Sequence, residues 1–334
     1  VPDDTSPQPP VRWGILGTGK IAQRFVTGLR AVDDAEVVAV GSRSEETARR
    51  FADTWDIPRA HGDYADLAAD TGVDVVYVAT PHNVHHRATL MCLEAGRHVL
   101  CEKPLAVNAA EAAEMVDAAK RRGRFLMEGM WTRFAPAMAE VRKLLADGAI
   151  GEVRMVTATI GGRMDYDPQG RLFAPELAGG ALLDVGVYPV AFASMFLGEF
   201  TGIQAQAHKA PTGVDAQVAM SVTGRNGVLG VLGCSIEAPI PRRADIVGTG
   251  GSIALTDWFC PTGFVLRRAG AEPEEFSFPH RANGFEYEVM EVHRRLREQA
   301  LESPLMPWAE SLRIAEALDA VRADIGVTYP GEGG

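Results

Sequence analysis

From Val11 onward, short runs of β-branched and apolar residues alternate with stretches of helical periodicity. V-R-W-G-I-L, E-V-V-A-V, V-D-V-V-Y-V-A-T, H-V-L-C-E and R-F-L-M-E each read as a strand. V-D-V-V-Y-V-A-T is apolar almost throughout, the pattern of a parallel strand covered on both faces. Between the strands, helical patterns run from G-T-G-K-I-A to about Arg30 and through S-E-E-T-A-R-R-F-A, with Ser44 as N-cap. Two more run from about Val84 to Ala95 and through N-A-A-E-A-A-E-M-V-D-A-A-K, capped by Asn108. Alternation this regular predicts a doubly wound parallel sheet.

After about Gly148 the texture changes. V-R-M-V-T-A-T-I, A-Q-V-A-M-S-V-T and V-L-G-V-L-G-C-S-I alternate, and R-N-G between the last two is a tight-turn signal. I-V-G-T-G-G-S-I-A-L is a second hairpin candidate. This half predicts an α/β domain with a large, open, mainly antiparallel sheet. F-E-Y-E-V-M-E-V-H-R-R-L and W-A-E-S-L-R-I-A-E-A-L read as amphipathic helices near its end. The expected division is a flexible arm over 1–10, a nucleotide-binding domain over 11–130 and a substrate and dimerisation domain over 131–330.

Composition narrows the function classes. The 334 residues suffice for two domains, and 46% hydrophobic with 23% charged residues fits a packed core. A formal charge of −11, from 33 basic and 44 acidic residues, gives no basic face for nucleic acid or anionic lipid. No apolar run approaches the roughly 20 residues of a membrane span. The start, V-P-D-D-T-S-P-Q-P-P, is acidic and proline-rich, the opposite of a secretory signal. Cys92, Cys101, Cys234 and Cys260 show no C-x-x-C spacing. That argues against a zinc site and for free thiols in a reducing compartment, hence a cytoplasmic location.

Candidate chemistry gathers at strand ends. Gly17-Thr18-Gly19-Lys20-Ile21-Ala22 is a G-x-G-x-x-A at the first strand-to-helix turn. Its glycines let the backbone approach a pyrophosphate at a helix N-terminus, as in a Rossmann dinucleotide site. The second strand ends in Gly41-Ser42-Arg43. NAD sites present Asp or Glu there to the ribose; a hydroxyl and a guanidinium suit a 2′-phosphate, so NADP is the expected cofactor. Thr80-Pro81-His82-Asn83-Val84-His85-His86 lies at the ligand-binding edge of the sheet. Thr80, Pro81, His82, Asn83 and His85 are read as cofactor contacts, and no metal is expected because the histidines lack accompanying ligands.

Glu102-Lys103-Pro104 ends the fifth strand on the same edge. Lys103 there can donate to a substrate oxygen and to the nicotinamide ribose, with Glu102 beside it. A surface ion pair is the plainer reading of the motif alone. Trp131 and Arg133, after the next strand, read as a pocket wall on the cofactor edge or as a plug joining two domains. In G-G-A-L-L-D-V-G-V-Y-P, a helix from Leu182 would put Asp184 and Tyr188 on one face, where acid and phenol can relay a proton. A buried structural Tyr–Asp pair would look the same.

In this order, G-x-G-x-x-A at Gly17, E-K-P at Glu102 and G-G-A-L-L-D-V-G at Gly179 resemble the Gfo/Idh/MocA oxidoreductase family, over about Arg12 to Tyr329. R-W-G-I-L-G-T-G-K-I-A, L-M-E-G-M-W-T-R-F and D-V-G-V-Y look most like its dihydrodiol and D-xylose dehydrogenase branch. The resemblance implies a Rossmann domain followed by an open-sheet domain often used for dimerisation, with Lys103 at substrate and nicotinamide. It implies Tyr188 where inositol dehydrogenases carry His, and Arg43 as an NADP determinant. Gly129 departs from the branch pattern, with consequences for packing more than chemistry. The loop Asp165–Glu176 is where specificity is expected, and Arg171 there is a candidate substrate contact.

The reading is an NADP-dependent dehydrogenase of a sugar or cyclic vicinal diol, moving a hydride between the nicotinamide and a carbinol carbon. Tyr188 serves as acid/base, Lys103 lowers its pKa and orients the substrate oxygen, and Asp184 assists. Trp131, Arg171, Asp184, Tyr188 and Lys103 form the substrate side. An NAD-linked inositol or amino-sugar dehydrogenase and a silent NADP-binding sensor are the alternatives. An open sheet face needs a partner subunit, so a homodimer or homotetramer is expected.

Overall fold

The computed structural model describes residues 9–332, so the arm expected over 1–10 lies almost wholly outside the described residues. Eleven elements build the first layer: β1 (Val11–Leu16), α1 (Lys20–Leu29), β2 (Ala35–Gly41), α2 (Glu45–Thr54), β3 (Arg59–His61), α3 (Tyr64–Ala69), β4 (Val75–Val78), α4 (His82–Glu94), β5 (His98–Glu102), α5 (Ala109–Arg122) and β6 (Leu126–Gly129). All six strands are parallel, in the order β3-β2-β1-β4-β5-β6. Every residue of β4 is buried, as its unbroken apolar run requires. The caps read from sequence form: Ser44 Oγ accepts the Thr47 N–H at 3.3 Å and Asn108 Oδ1 that of Glu111 at 2.9 Å.

The order reverses between β1 and β4, which opens a crevice at the carboxyl ends of those strands. Beyond β6 come a 3-10 turn (Trp131–Phe134), α6 (Pro136–Ala146) and β7 (Val153–Gly161). A long excursion then leads to a π-helical turn (Leu182–Gly186) and α7 (Val187–Leu197). The remaining elements are β8 (Phe200–Lys209), β9 (Asp215–Gly224), β10 (Leu229–Ser235), β11 (Arg243–Gly248), β12 (Gly251–Thr256), β13 (Gly263–Arg268), β14 (Glu274–Ser277), α8 (Glu286–Arg297) and α9 (Trp308–Ile325). Eight strands form the second sheet in the order β14-β13-β12-β11-β7-β10-β9-β8. It is antiparallel except where β7 and β10 run parallel, and both hairpins expected from the sequence are present.

α7 covers one face of this sheet. The other face is open and carries Leu229, Val231 and Val247 exposed. The C-terminal helices return to the first layer. Trp13 Nε1 donates to His293 Nε2 at 2.9 Å, and Trp308 Nε1 donates to the Leu126 carbonyl at 2.9 Å.

Two sequence expectations need correction. Pro175–Leu197, at 23 residues, is long and apolar enough by composition to cross a membrane, and most of it is buried inside the protein. The helix from Leu182 does not begin as an α-helix. Its first turn is π, so the register carrying Asp184 is wider than the α spacing assumed.

Candidate active site

The glycine turn after β1 is shaped for a close ligand. Gly17 has φ +111°, and a Cβ there would lie 2.6 Å from the Ala79 carbonyl oxygen at the end of β4. Only glycine fits that approach. A Cβ on Gly19 would meet nothing, so the backbone before α1 faces open space. Gly19 is the N-cap of α1 and supplies no side-chain cap, and no acidic residue lies in the first turn. The first amides of α1 are therefore open to an anion. Thr18, Lys20 and Ile21 flank this turn partly or fully exposed.

At the end of β2, Ser42 is buried with its hydroxyl 2.6 Å from that of Thr47, while the Arg43 side chain is exposed. Among the described residues Arg43 has no carboxylate partner. The Thr80 hydroxyl is buried beside the crevice without a hydrogen-bond partner. A bare glycine turn, uncapped amides, an orphaned hydroxyl and a guanidinium beyond β2 fit a dinucleotide with a phosphorylated ribose.

Other residues read as cofactor contacts are engaged elsewhere. His85 is fully buried between the carbonyls of Pro104 at 2.8 Å and Thr80 at 2.9 Å, tying two strand-end loops together. Pro81 is the N-cap residue of α4, and Asn83 Nδ2 donates to the Glu176 carbonyl at 2.8 Å, anchoring the long loop. Glu102 is buried and accepts from the Tyr77 hydroxyl and, at 3.2 Å, the Lys103 amide. Arg133 is buried against Glu310 and donates to the carbonyls of Ala191 at 3.1 Å and Leu305 at 3.2 Å. It is a clamp between layers, and its contacts to Glu310, Ala191 and Leu305 fit the plug reading for Arg133.

The Lys103 turn is fixed from below. The Lys103–Pro104 bond is cis. The Leu105 amide donates to Glu128 Oε1 at 3.1 Å, and burial pushes the Glu128 carboxyl up to about 7. Lys103 Nζ donates to the Asp184 carbonyl at 2.6 Å, lies 3.9 Å from Asp184 Oδ1 and sits 4.7 Å over the Tyr188 ring. This is no surface ion pair: its side chain is only 11% exposed.

Asp184 faces three cationic or imidazole groups. Arg171, from the long loop, donates to Oδ1 at 2.7 Å, and His82 Nε2 lies 3.9 Å away. Burial would raise the Asp184 carboxyl, but Lys103, Arg171 and His82 outweigh it and hold it at about 2. Burial pulls His82 down to about 3 against the attraction of Asp184, so its imidazole is neutral.

Tyr188 Oη accepts the Trp131 indole N–H at 3.1 Å. Trp131 stacks on Phe285 at 4.5 Å between centroids, and Phe259 lies 6.1 Å from both Trp131 and Tyr188. Burial, with Glu102 and Asp184, raises the phenol well above its ordinary value. Lys103 therefore does not leave a low-pKa phenol here. Nor does Asp184 bond to Tyr188; its carboxylate turns toward Arg171 and Lys103.

Sequence reading missed Phe259, Phe285, Tyr77 and Glu128. Phe285 precedes α8 and Phe259 follows β12, so no local spacing ties them to Trp131. Glu128 sits in M-E-G, a strand end like that of Glu102, and was open to the same reasoning.

Comparison with known proteins agrees with this geometry. A family described as an oxidoreductase family with an NAD-binding Rossmann fold matches residues 11–130, and the GFO/IDH/MocA C-terminal domain matches 138–254. Trans-1,2-dihydrobenzene-1,2-diol dehydrogenases are 41% identical in Macaca fascicularis and 40% in Homo sapiens, each over 96% of this chain and 98% of the relative. A 3-ketoreductase from Actinomadura kijaniata, solved with NADP and TDP-benzene, superposes with a TM-score of 0.84 at 30% identity, over 95% of this chain and 98% of that one. An aldose-aldose oxidoreductase from Caulobacter crescentus, complexed with glycerol, gives 0.85 at 25% identity, over 94% and 97%. The chain belongs to the Gfo/Idh/MocA oxidoreductase family, in its dihydrodiol dehydrogenase branch.

Proposed function

We propose that the protein is an NADP-dependent dehydrogenase acting on a cyclic trans-diol or an aldose, with Tyr188 as the proton-carrying residue. The observation that carries this reading is the convergence of Lys103, Asp184 and Tyr188 at the carboxyl edge of the first sheet. Dihydrodiol dehydrogenase relatives and the NADP-bound ketoreductase support the substrate class and the cofactor. Arg43 supports NADP over NAD.

When bound, the nicotinamide supplies or accepts the hydride. Tyr188 handles the proton at the substrate oxygen. Its Oη already accepts from Trp131, so its own hydrogen is free to point into the cleft. Lys103 lends positive charge where an alkoxide would develop, and Asp184 fixes the ammonium through its main-chain carbonyl. Phe259, partly exposed beside the phenol, offers apolar ring surface that suits a flat carbocycle or the apolar face of a sugar, and the buried Trp131 backs the Tyr188 hydroxyl. A phenol with a raised pKa is an acid at neutral pH. Ketone reduction should therefore run well near neutrality, and alcohol oxidation should climb into the alkaline range.

The exposed Leu229, Val231 and Val247 on the open sheet support a homodimer or homotetramer with a second copy on that face. A panel of trans-dihydrodiols, pentoses and hexoses, followed at the NADPH absorbance with each cofactor, tests the activity. Turnover with NADP favoured over NAD is the expected result. Tight NADP binding without turnover on any compound would contradict it.

A further inference from the structure

We propose that Asp215 is a positioning residue for this reaction, its buried carboxylate holding the turn from which Asp184 and Tyr188 project. The inference rests on the role given to Tyr188 above. Asp215 opens β9 and is fully buried. Its Oδ2 accepts the N–H of Leu182, the first residue of the π-turn, at 2.6 Å, and the Ala181 N–H also points to the carboxylate.

The opening amides of a helix have no partner inside it, and a carboxylate placed there satisfies them and complements the helix dipole. Caps usually come from the preceding residue. This one comes from another strand, 33 residues away. The backbone is cut to receive it. Gly180 has φ +124°, and a Cβ there would overlap Asp215 Oδ1, which has no hydrogen-bond partner. A second grip acts on the same turn, because the Tyr329 hydroxyl donates to the Gly179 carbonyl at 2.7 Å. Gly180 in G-G-A-L-L-D-V-G is thus explained by a carboxylate pressed against bare backbone, while a Cβ on Gly179 would meet the Leu172 carbonyl at 2.8 Å.

Asp184 lies in the held turn and Tyr188 in the next, so any slip of the turn moves both. A misplacement of about 1 Å can cost on the order of 10²-fold in rate. The ionisable groups around Asp215 are Cys234 on β10, Arg322 on α9 and Tyr329 in the C-terminal segment. Burial raises the Asp215 carboxyl to about 7 against the pull of the Leu182 amide. The grip therefore changes charge across neutral pH.

The test uses Asp215→Asn and Asp215→Ala in the full chain, each alone and combined with Tyr188→Phe. NADPH affinity, amide exchange across 180–188 and kcat against pH are measured together. The inference expects unchanged NADPH affinity, faster exchange at Leu182 and kcat lower by about tenfold or more. It also expects the ionisation near pH 7 to vanish in Asp215→Asn, and no further loss in the double variants beyond that of Tyr188→Phe. Should Asp215→Ala fail to fold, Asp215→Asn carries the test. Normal kcat and pH profile in Asp215→Asn, or losses that add independently to those of Tyr188→Phe, overturn the inference. Normal turnover in Tyr188→Phe alone would instead remove the acid/base reading, leaving exchange at Leu182 to judge Asp215.

Discussion

Two turns meet at the site, and they are held in different ways. The Lys103 turn is fixed by its own layer: His85, Glu102 and Glu128 come from β4–β6 or the helix between, and each grips a main-chain group beside it. The Asp184–Tyr188 turn is fixed from a distance. Asp215 takes its amides, Tyr329 its preceding carbonyl, and Arg133 reaches from the first layer to the Ala191 carbonyl on α7. One wall is part of the nucleotide-binding sheet. The other is assembled only when the chain has closed on itself, and it carries the phenol. Chemistry at this site therefore depends on long-range packing more than the compact Lys103 motif suggests.

Arg133→Ala attacks the distant side hardest. It leaves Glu310 paired only with Arg313 and takes the buried donor from the Ala191 and Leu305 carbonyls, and about 3 kcal/mol of stability should be lost, read by urea unfolding. NADPH affinity of the remaining folded protein should be unchanged; a large affinity loss at unchanged stability would return Arg133 to the cofactor site. Lys103→Met attacks the near side. Removing one charge aimed at a developing oxyanion should lower kcat about 10²- to 10³-fold with the fold intact.

Arg43→Ala should weaken NADP by about 1.5–3 kcal/mol and leave NAD unaffected, checked by titration with each. Equal weakening of both would remove the 2′-phosphate contact.

Stability against pH sharpens the comparison further. Asp184 is held at about 2, below its ordinary 3.8. Its stabilisation is present above pH ~4 and lost as pH falls through the folded value. Glu128 and Asp215 are raised to about 7, so each favours the folded state most when protonated. Their contributions are full below about pH 4 and fade as pH rises to 7. Glu128→Gln and Asp215→Asn should each gain stability relative to the parent over that interval, in thermal melts at stepped pH. Opposite signs for the two would break the symmetry between the turns. The smallest effect on turnover should come from Val231→Arg; with a second copy on the open sheet as proposed, light scattering should read a lower mass than for the parent, and an unchanged mass would remove that interface.

What could be read in advance follows the same divide. Parallel strands buried on both faces announce themselves as apolar runs, so the first sheet and its glycine turn were legible. So was the Lys103 edge, because strand ends in such a sheet converge. Arg133 gave the same local signal as a pocket residue, and its partner Glu310 stands 177 residues away. His82 and His85 share one helical turn, yet His82 faces Asp184 and His85 turns inward. Asp184 and Tyr188 were paired on α spacing, and a π-turn with two arriving cations redirected the carboxylate. Asp215 carried no signal, since a cap that arrives from another strand leaves none in the spacing around the helix.

The proposed role of Tyr188 is to carry the proton at the substrate oxygen beside Lys103. It is tested most directly by kcat of Tyr188→Phe, with NADPH affinity measured on the same preparation. The expected result is a loss of roughly 10²-fold or more in kcat with affinity unchanged. Near-normal kcat with intact NADPH binding would contradict it.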